Sequence, residues 1–284
     1  MKKVILMAMA AALMCGCSSA DDESGVNEKM VTFHVDGDFS ITFSDIETRT
    51  ALTADNNTMT DLWVFDYIGD ECVQTVHHTT DDALWGTPTM SLRFGTHHLY
   101  FVVSRGAAPE VDAENHTITF GTVRDTFWKD YEIEVTSSTN ANRTVELDRV
   151  VTRLRLIATD AVPEGIATVT ITPATWYSGL NYLTGEPTDA KTNEPRTINI
   201  PSSYVGTEGE MVINVFGFSS NEWTTNVDVV AKKGDGTTLG QAVVANVPMK
   251  RNISTILSGT LFGKVSVNTI SIDDEWLDDL EMTF

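Results

Sequence analysis

Val31-Thr32-Phe33-His34-Val35 alternates apolar and polar side chains at every step, and the rhythm returns in Phe39-Ser40-Ile41-Thr42-Phe43 after Asp36-Gly37-Asp38. Successive side chains of an extended chain point to opposite faces, so a period of two reads as a hairpin or kinked strand pair with one apolar face. Downstream, the polar stretch from Glu47-Thr48-Arg49-Thr50 to Asp55-Asn56-Asn57 reads as an exposed loop. Leu62-Trp63-Val64-Phe65 and Leu99-Tyr100-Phe101-Val102-Val103 are nearly continuous apolar runs, as strands covered on both faces require. Residues 72–76, 91–94, 118–120, 131–135 and 144–147 supply further short strands, with Phe127-Trp128 on a short helical turn.

A composition shift near Asp148 marks a boundary. Arg149, Arg153 and Arg155 then alternate with Leu154 and Leu156, giving a strand with a basic outer face. A second set of strands follows at 168–172, 197–200, 211–216, 226–230, 240–247 and 254–262, with a hairpin turn at Lys232-Lys233-Gly234-Asp235-Gly236-Thr237. Residues 173–195, rich in Thr, Gly, Asn and Pro, read as a long surface loop, and no stretch carries a persuasive amphipathic helix. The expectation is an all-β chain of two β-sandwiches, 30–148 and 149–284.

The first 29 residues are of another kind. Met1-Lys2-Lys3 is basic and residues 4–14 form an apolar run of 11, a signal-peptide core shorter than the roughly 20 residues a membrane-spanning helix needs. Gly16-Cys17 at its end resembles a bacterial lipobox, in which the Cys17 thiol is diacylated; bulky Met14 argues against its rival, Cys15. Residues 1–17 are thus expected to be signal peptide and lipidation site, and 18–29 a flexible polar tether. Two or three acyl chains hold a protein on a membrane far longer than one would. The formal net charge of −21 becomes −23 once Lys2 and Lys3 leave, and so acidic a surface repels nucleic acid. Cys72 is left without an intramolecular disulfide partner, so packing must supply the stability.

Nothing in the pattern assembles a catalytic site or calls for a cofactor: there is no Gly-x-Ser-x-Gly elbow, phosphate-cradling loop or His-Glu-x-x-His. His77-His78 and His97-His98 each offer one ligand per strand face, with no spaced carboxylate or thiol to complete a metal set. Asp36-Gly37-Asp38, Asp81-Asp82 and Asp273-Asp274 fit turns better than a Ca²⁺ ladder. Trp176-Tyr177 and Trp223 are either packing residues or platforms for sugars.

The lipobox at Cys17, Thr48-Arg49-Thr50, Leu62-Trp63-Val64-Phe65-Asp66, and Val247-Pro248-Met249-Lys250-Arg251-Asn252 with Thr255 and Gly259 occur in an order and spacing that resembles the fimbrillin-type lipoproteins of Bacteroidetes, the Fim/Mfa superfamily. The acidic residues after Cys17 likewise resemble a surface-export signal of such lipoproteins. The resemblance implies two tandem transthyretin-like β-sandwich domains and a structural, non-enzymatic pilus subunit serving adhesion. It implies an outer-membrane, surface-exposed precursor held by its lipid, cut after an Arg that Arg49 matches, and assembled with other subunits by donor-strand exchange. Leu280, Met282 and Phe284, or the alternation of Val265, Val267, Ile270 and Ile272, provide a donor strand; Trp276, Leu280 and Phe284 also fit helical spacing. Shaft, anchor and tip roles stay open, with Arg49 and the C-terminal alternation leaning to shaft; a host or bacterial surface ligand is expected for adhesion. The alternative is a glycan-binding surface lipoprotein of a polysaccharide-uptake system.

Overall fold

The computed structural model describes residues 27–37, 59–105, 109–219, 223–263 and 267–273. Among them the regular elements are β-strands, apart from one 3-10 turn at Ser202–Tyr204. The first half contains β1 (Glu28–Gly37), β2 (Asp61–Ile68), β3 (Glu71–Thr79), β4 (Thr89–Arg93), β5 (Gly95–Ser104), β6 (Glu110–Asp112), β7 (Thr117–Thr119), β8 (Thr126–Val135) and β9 (Asn142–Arg149). Seven of these form one sheet, ordered β3-β2-β5-β8-β9-β1-β4. β8 and β9 share only the pairs Phe127–Arg149 and Trp128–Asp148. On either side of this corner the two arms of the sheet bury a common core that includes Phe33, Leu62, Leu92, Phe101, Ile133 and Leu147.

The second half contains β10 (Val151–Ala158), β11 (Ile166–Pro173), β12 (Thr175–Asn181), β13 (Pro187–Thr192), β14 (Arg196–Asn199), β15 (Met211–Phe218), β16 (Trp223–Lys233), β17 (Thr238–Met249), β18 (Ser254–Thr260) and β19 (Val267–Asp273). Two four-stranded sheets, β15-β10-β18-β19 and β14-β11-β16-β17, contribute to a second core that includes Leu154, Ile171, Ile213, Val229 and Leu257. A further sheet, β13-β12-β7-β6, takes strands from both halves. It adjoins a third buried cluster in which Phe65, Tyr67 and Val102 meet Leu180, Tyr182, Phe216 and Phe218.

The all-β expectation holds, and so does the double burial of the two apolar runs. Leu62 and Val64 enter the first core while Phe65 and Tyr67 on the opposite face of β2 enter the third cluster. The hairpin between β16 and β17 also forms, closed by Lys233 N–H donating to the Thr237 carbonyl at 2.8 Å. Gly236 adopts a φ of +87° there, open to glycine without a Cβ clash.

Four expectations are corrected. β1 runs straight through Asp36 and Gly37 as strand instead of turning there. It pairs with β4 and β9, while its expected partner at 39–43 lies outside the described residues. Phe127 and Trp128 lie in β8; they continue its alternation, so no helical turn forms. Residues 173–195 hold the β12–β13 hairpin, because Trp176, Leu180 and Tyr182 recur at period two and are buried on one face. Gly217 lets the Trp176 ring lie against β15, since a Cβ there would overlap the indole.

The last correction is the basic face. Arg149 and Arg153 are 4% and 1% exposed, because the face of β10 and β15 turned away from the second core is covered by the first half. Val151, Phe216 and Phe218 on that face belong to the third cluster. Arg149 grips Asp125 through two bonds, Nε to Oδ1 at 2.7 Å and Nη2 to Oδ2 at 3.0 Å, and Arg153 donates from Nε to Ser254 Oγ at 2.8 Å.

Candidate functional site

β1 is the element on which the sequence motifs converge, because it is the only described strand that precedes Arg49. Its first part, Glu28–Thr32, pairs antiparallel with β4, and its second part, Thr32–Gly37, pairs parallel with β9. Phe33 and Val35 N–H groups also donate to the carbonyls of Pro88 and Gly86, at 2.9 and 3.0 Å. The alternation does what period two predicts: Val31 and Phe33 are fully buried, whereas Met30 is 56% exposed. Phe33 meets the edges of Phe101 and Tyr131, with ring centroids 5.5 and 6.0 Å apart, an arrangement aromatic quadrupoles favour. Side chains add Thr32 to Thr89 at 2.9 Å and Ser91 to Glu28 at 2.7 Å. Without β1, two apolar sockets and two rows of backbone groups would face water, a strand-shaped slot.

Cys17, Arg49, Leu280, Met282 and Phe284 lie outside the described residues, as does Val265. The backbone of Val267–Asp273 is described, and it pairs antiparallel with β18 as β19. β19 is the edge of its sheet in the described residues.

The histidine doublets split between strand faces. His97 is buried, its Nδ1 2.7 Å from Asp66 Oδ1 and its Nε2 2.8 Å from the Arg93 carbonyl. Burial pushes the Asp66 carboxyl above its usual range, against the lowering pull of His97. His77 stacks on Trp63 with centroids 3.7 Å apart and bonds Asp61 at 2.9 Å. Among the described residues no three His, Cys, Asp or Glu side chains converge as a metal set. Cys72 is exposed, its Sγ 3.6 Å from Thr75 Oγ1. Of the two roles open to the aromatic residues, packing is the one Trp176 takes: it is 1% exposed and donates to the Phe216 carbonyl. Trp223 donates to Ser219 Oγ and packs edge-on against Tyr177.

Solved structures of similar fold include several from the genus Bacteroides. A candidate adhesin from Bacteroides ovatus aligns with a TM-score of 0.52 at 13% identity, covering 87% of this chain and 94% of that one. A candidate cell adhesion protein from Bacteroides fragilis gives 0.51 at 9% identity, covering 86% and 97%. Another from Bacteroides ovatus gives 0.50 at 12%, covering 86% and 96%. At such identities the likeness is one of fold. No curated protein matches the sequence. Residues 110–283, from β6 past β19, match a family of unknown function, DUF6562, and the chain belongs to that family.

Proposed function

We propose that this chain is a surface-exposed, lipid-anchored adhesion protein of the outer membrane and a structural subunit of a pilus, with no enzymatic role. In this reading 30–148 and 149–284 are two transthyretin-like domains, Cys17 carries the lipid, and a cut after Arg49 releases β1. A donor strand from the next subunit then occupies the slot, with Leu280, Met282 and Phe284 filling alternate pockets. The shaft role is favoured over anchor or tip.

The observation that carries the reading is the position of β1: a cut at Arg49 severs it from every other described strand. Strand pairing with β4 and β9, main-chain and side-chain hydrogen bonds such as those to Gly86, Pro88, Thr89 and Ser91, and burial of Val31 and Phe33 would then hold it, with no covalent link. An incoming strand can replace main-chain hydrogen bonds and side-chain sockets together. Donor and slot are different surfaces, so the contact is head-to-tail and propagates as a filament. The adhesin descriptions of the fold relatives agree with a surface role. Of the two tryptophans on which the rival glycan-uptake reading relied, Trp176 is buried, and Trp223 is half-buried.

The test is Arg49→Ala, followed by heat-resistant multimer ladders and N-terminal sequencing of surface material. The expected result is an intact lipidated monomer where the parent begins at Thr50 and polymerises. Normal ladders from Arg49→Ala would rule out the cut, and Cys17→Ser retaining palmitate label would rule out the anchor.

A further inference from the structure

β17 is an edge strand of its sheet in the described residues, and its whole length from Thr238 to Met249 holds no charged side chain. Edge strands usually carry charge, because free N–H and C=O groups otherwise invite a further strand. The other described edges follow that rule: β3, β4, β6, β13, β14 and β19 each include a charged residue, and β15 is buried along its whole length. One end of β17 is protected in another way. Asn246, at a φ of +54°, sits where the pairing with β16 shifts register, and Pro248 lacks an N–H. Residues 239–245 have no such device, and Val243 among them is 56% exposed. Exposed Lys232 and Lys233 stand before the strand and exposed Lys250 after it, a basic bracket in a chain of net charge −21.

We propose that residues 274–284 of the same chain cover this edge in the unassembled protein, added antiparallel to β17 as a further strand. Asp273, the last residue of β19, pairs with Ser254, and Ser254 follows the turn at 250–253 that leaves β17. The chain therefore passes beyond Asp273 beside the Met249 end of β17, where an antiparallel strand must start. At about 3.3 Å per residue, 274–284 extends roughly 36 Å and 239–245 roughly 23 Å; the surplus rounds Pro248 and Asn246. The charge also fits. Asp274, Glu275, Asp278, Asp279 and Glu281 lie in 274–284 with no Lys or Arg among them, matching the lysines that bracket β17. Ala242 and Val244 are half-buried and pack against the second core. A register that sets Met282 and Leu280 beside them leaves Asp279 and Glu281 on the solvent face. A second β17 is a poorer occupant, since antiparallel pairing would bring the lysines of one copy against those of the other. Docking of this kind keeps Leu280, Met282 and Phe284, the donor side chains of the reading above, covered until assembly. It rests on β17 and the terminal segment alone, whether or not strands exchange in a pilus.

Amide hydrogen exchange in the Arg49→Ala protein tests the assignment, because there β1 stays joined to the chain and its slot stays filled. Deleting residues 274–284 should speed exchange of amides within 239–245 at least about tenfold, the effect of losing one net hydrogen bond. Amides of β2 and β5 should be unchanged. Full-length protein carrying Leu280→Asp and Met282→Asp should show the same local loss, a second variant in case the deletion loosens β19. Unchanged exchange at 239–245 in both variants would overturn the proposal, as would faster exchange spread equally over β2 and β5. Faster exchange confined to β19 would overturn it by placing the segment on that edge, and protection that grows with protein concentration would make the occupant a second copy. Multimer ladders report strand exchange separately, so failure here and failure of the pilus reading are distinguishable.

Discussion

β1 and β10 open the two halves of the molecule and are paired alike. Each has an antiparallel neighbour on one edge, β4 or β15, and a parallel one on the other, β9 or β18. Yet they differ in how firmly they are held. β10 buries six of its eight residues, and β1 two of its ten. β10 pairs with β15 from Val151 to Ala158, while β1 divides its length between two partners. β10 follows β9 with Val150 alone between them, and Arg149 at that junction is tied to buried Asp125. β1 is joined to β2 only through residues 38–60. Pairing geometry therefore does not make a strand exchangeable; shallow burial and a severable connection do.

The largest test of that difference pairs Phe33→Ala with Leu154→Ala. Both remove a fully buried side chain and should cost about 3–5 and 2–5 kcal/mol of unfolding free energy. Their kinetic consequences should diverge. After proteolysis within 38–58, Phe33→Ala should speed exchange of β1 against an excess of synthetic peptide covering residues 28–37. Leu154→Ala should lower the urea midpoint with the exchange rate unchanged. Equal acceleration by both would mean that β1 leaves only through global unfolding, and the contrast between the two strands would be lost.

Next in size is the tie at the root of β10. Asp125→Asn leaves the buried Arg149 guanidinium without its carboxylate partner, and removal of one member of such a pair costs about 3 kcal/mol or more. Replacing both members, Asp125→Leu with Arg149→Met, should recover most of that loss, because two apolar groups need no mutual compensation. Burial raises the Asp125 carboxyl above its normal range despite Arg149, which fits a pair whose desolvation is expensive. If the double variant were as unstable as Asp125→Asn, packing of these side chains, and not their charge, would be what secures β10.

Much of this architecture is legible in local pattern, for a physical reason. A strand with one or two apolar faces writes its burial into every second residue, so β1, β2, β5, β11 and β16 can be read from Val31-Thr32-Phe33 or Leu62-Trp63-Val64-Phe65 alone. The β12–β13 hairpin was masked because Thr, Gly and Asn surround Trp176, Leu180 and Tyr182, and composition outweighs period in such a stretch. The arginines of β10 show a different limit. Their alternation with Leu154 and Leu156 is real, but what covers the second face is set by the other half of the chain.

The smallest expected effect concerns a polar pair inside the first core. Asp66 is 1% exposed and His97 is equally buried. The Arg93 carbonyl can only accept, so His97 Nε2 carries a proton, and a single further proton is shared between Nδ1 and Asp66. Burial holds the Asp66 pKa above the ordinary 3.8, so the folded state binds that proton more tightly than the unfolded chain does. By linkage this contribution to stability is complete below 3.8 and is lost as pH rises through the folded value. Asp66→Asn can donate its amide hydrogen to a neutral Nδ1 and has no such titration. The variant should therefore be less stable than the parent by about 1 kcal/mol at pH 5, the net worth of one altered hydrogen bond. The deficit should be smaller at pH 8, because the parent's advantage shrinks as pH rises above 3.8 towards the folded value. Urea midpoints at the two values decide the matter: a deficit that is constant or grows with pH would show that Asp66 and His97 stay a fixed ion pair, its carboxylate stabilised by the ring rather than disfavoured by burial.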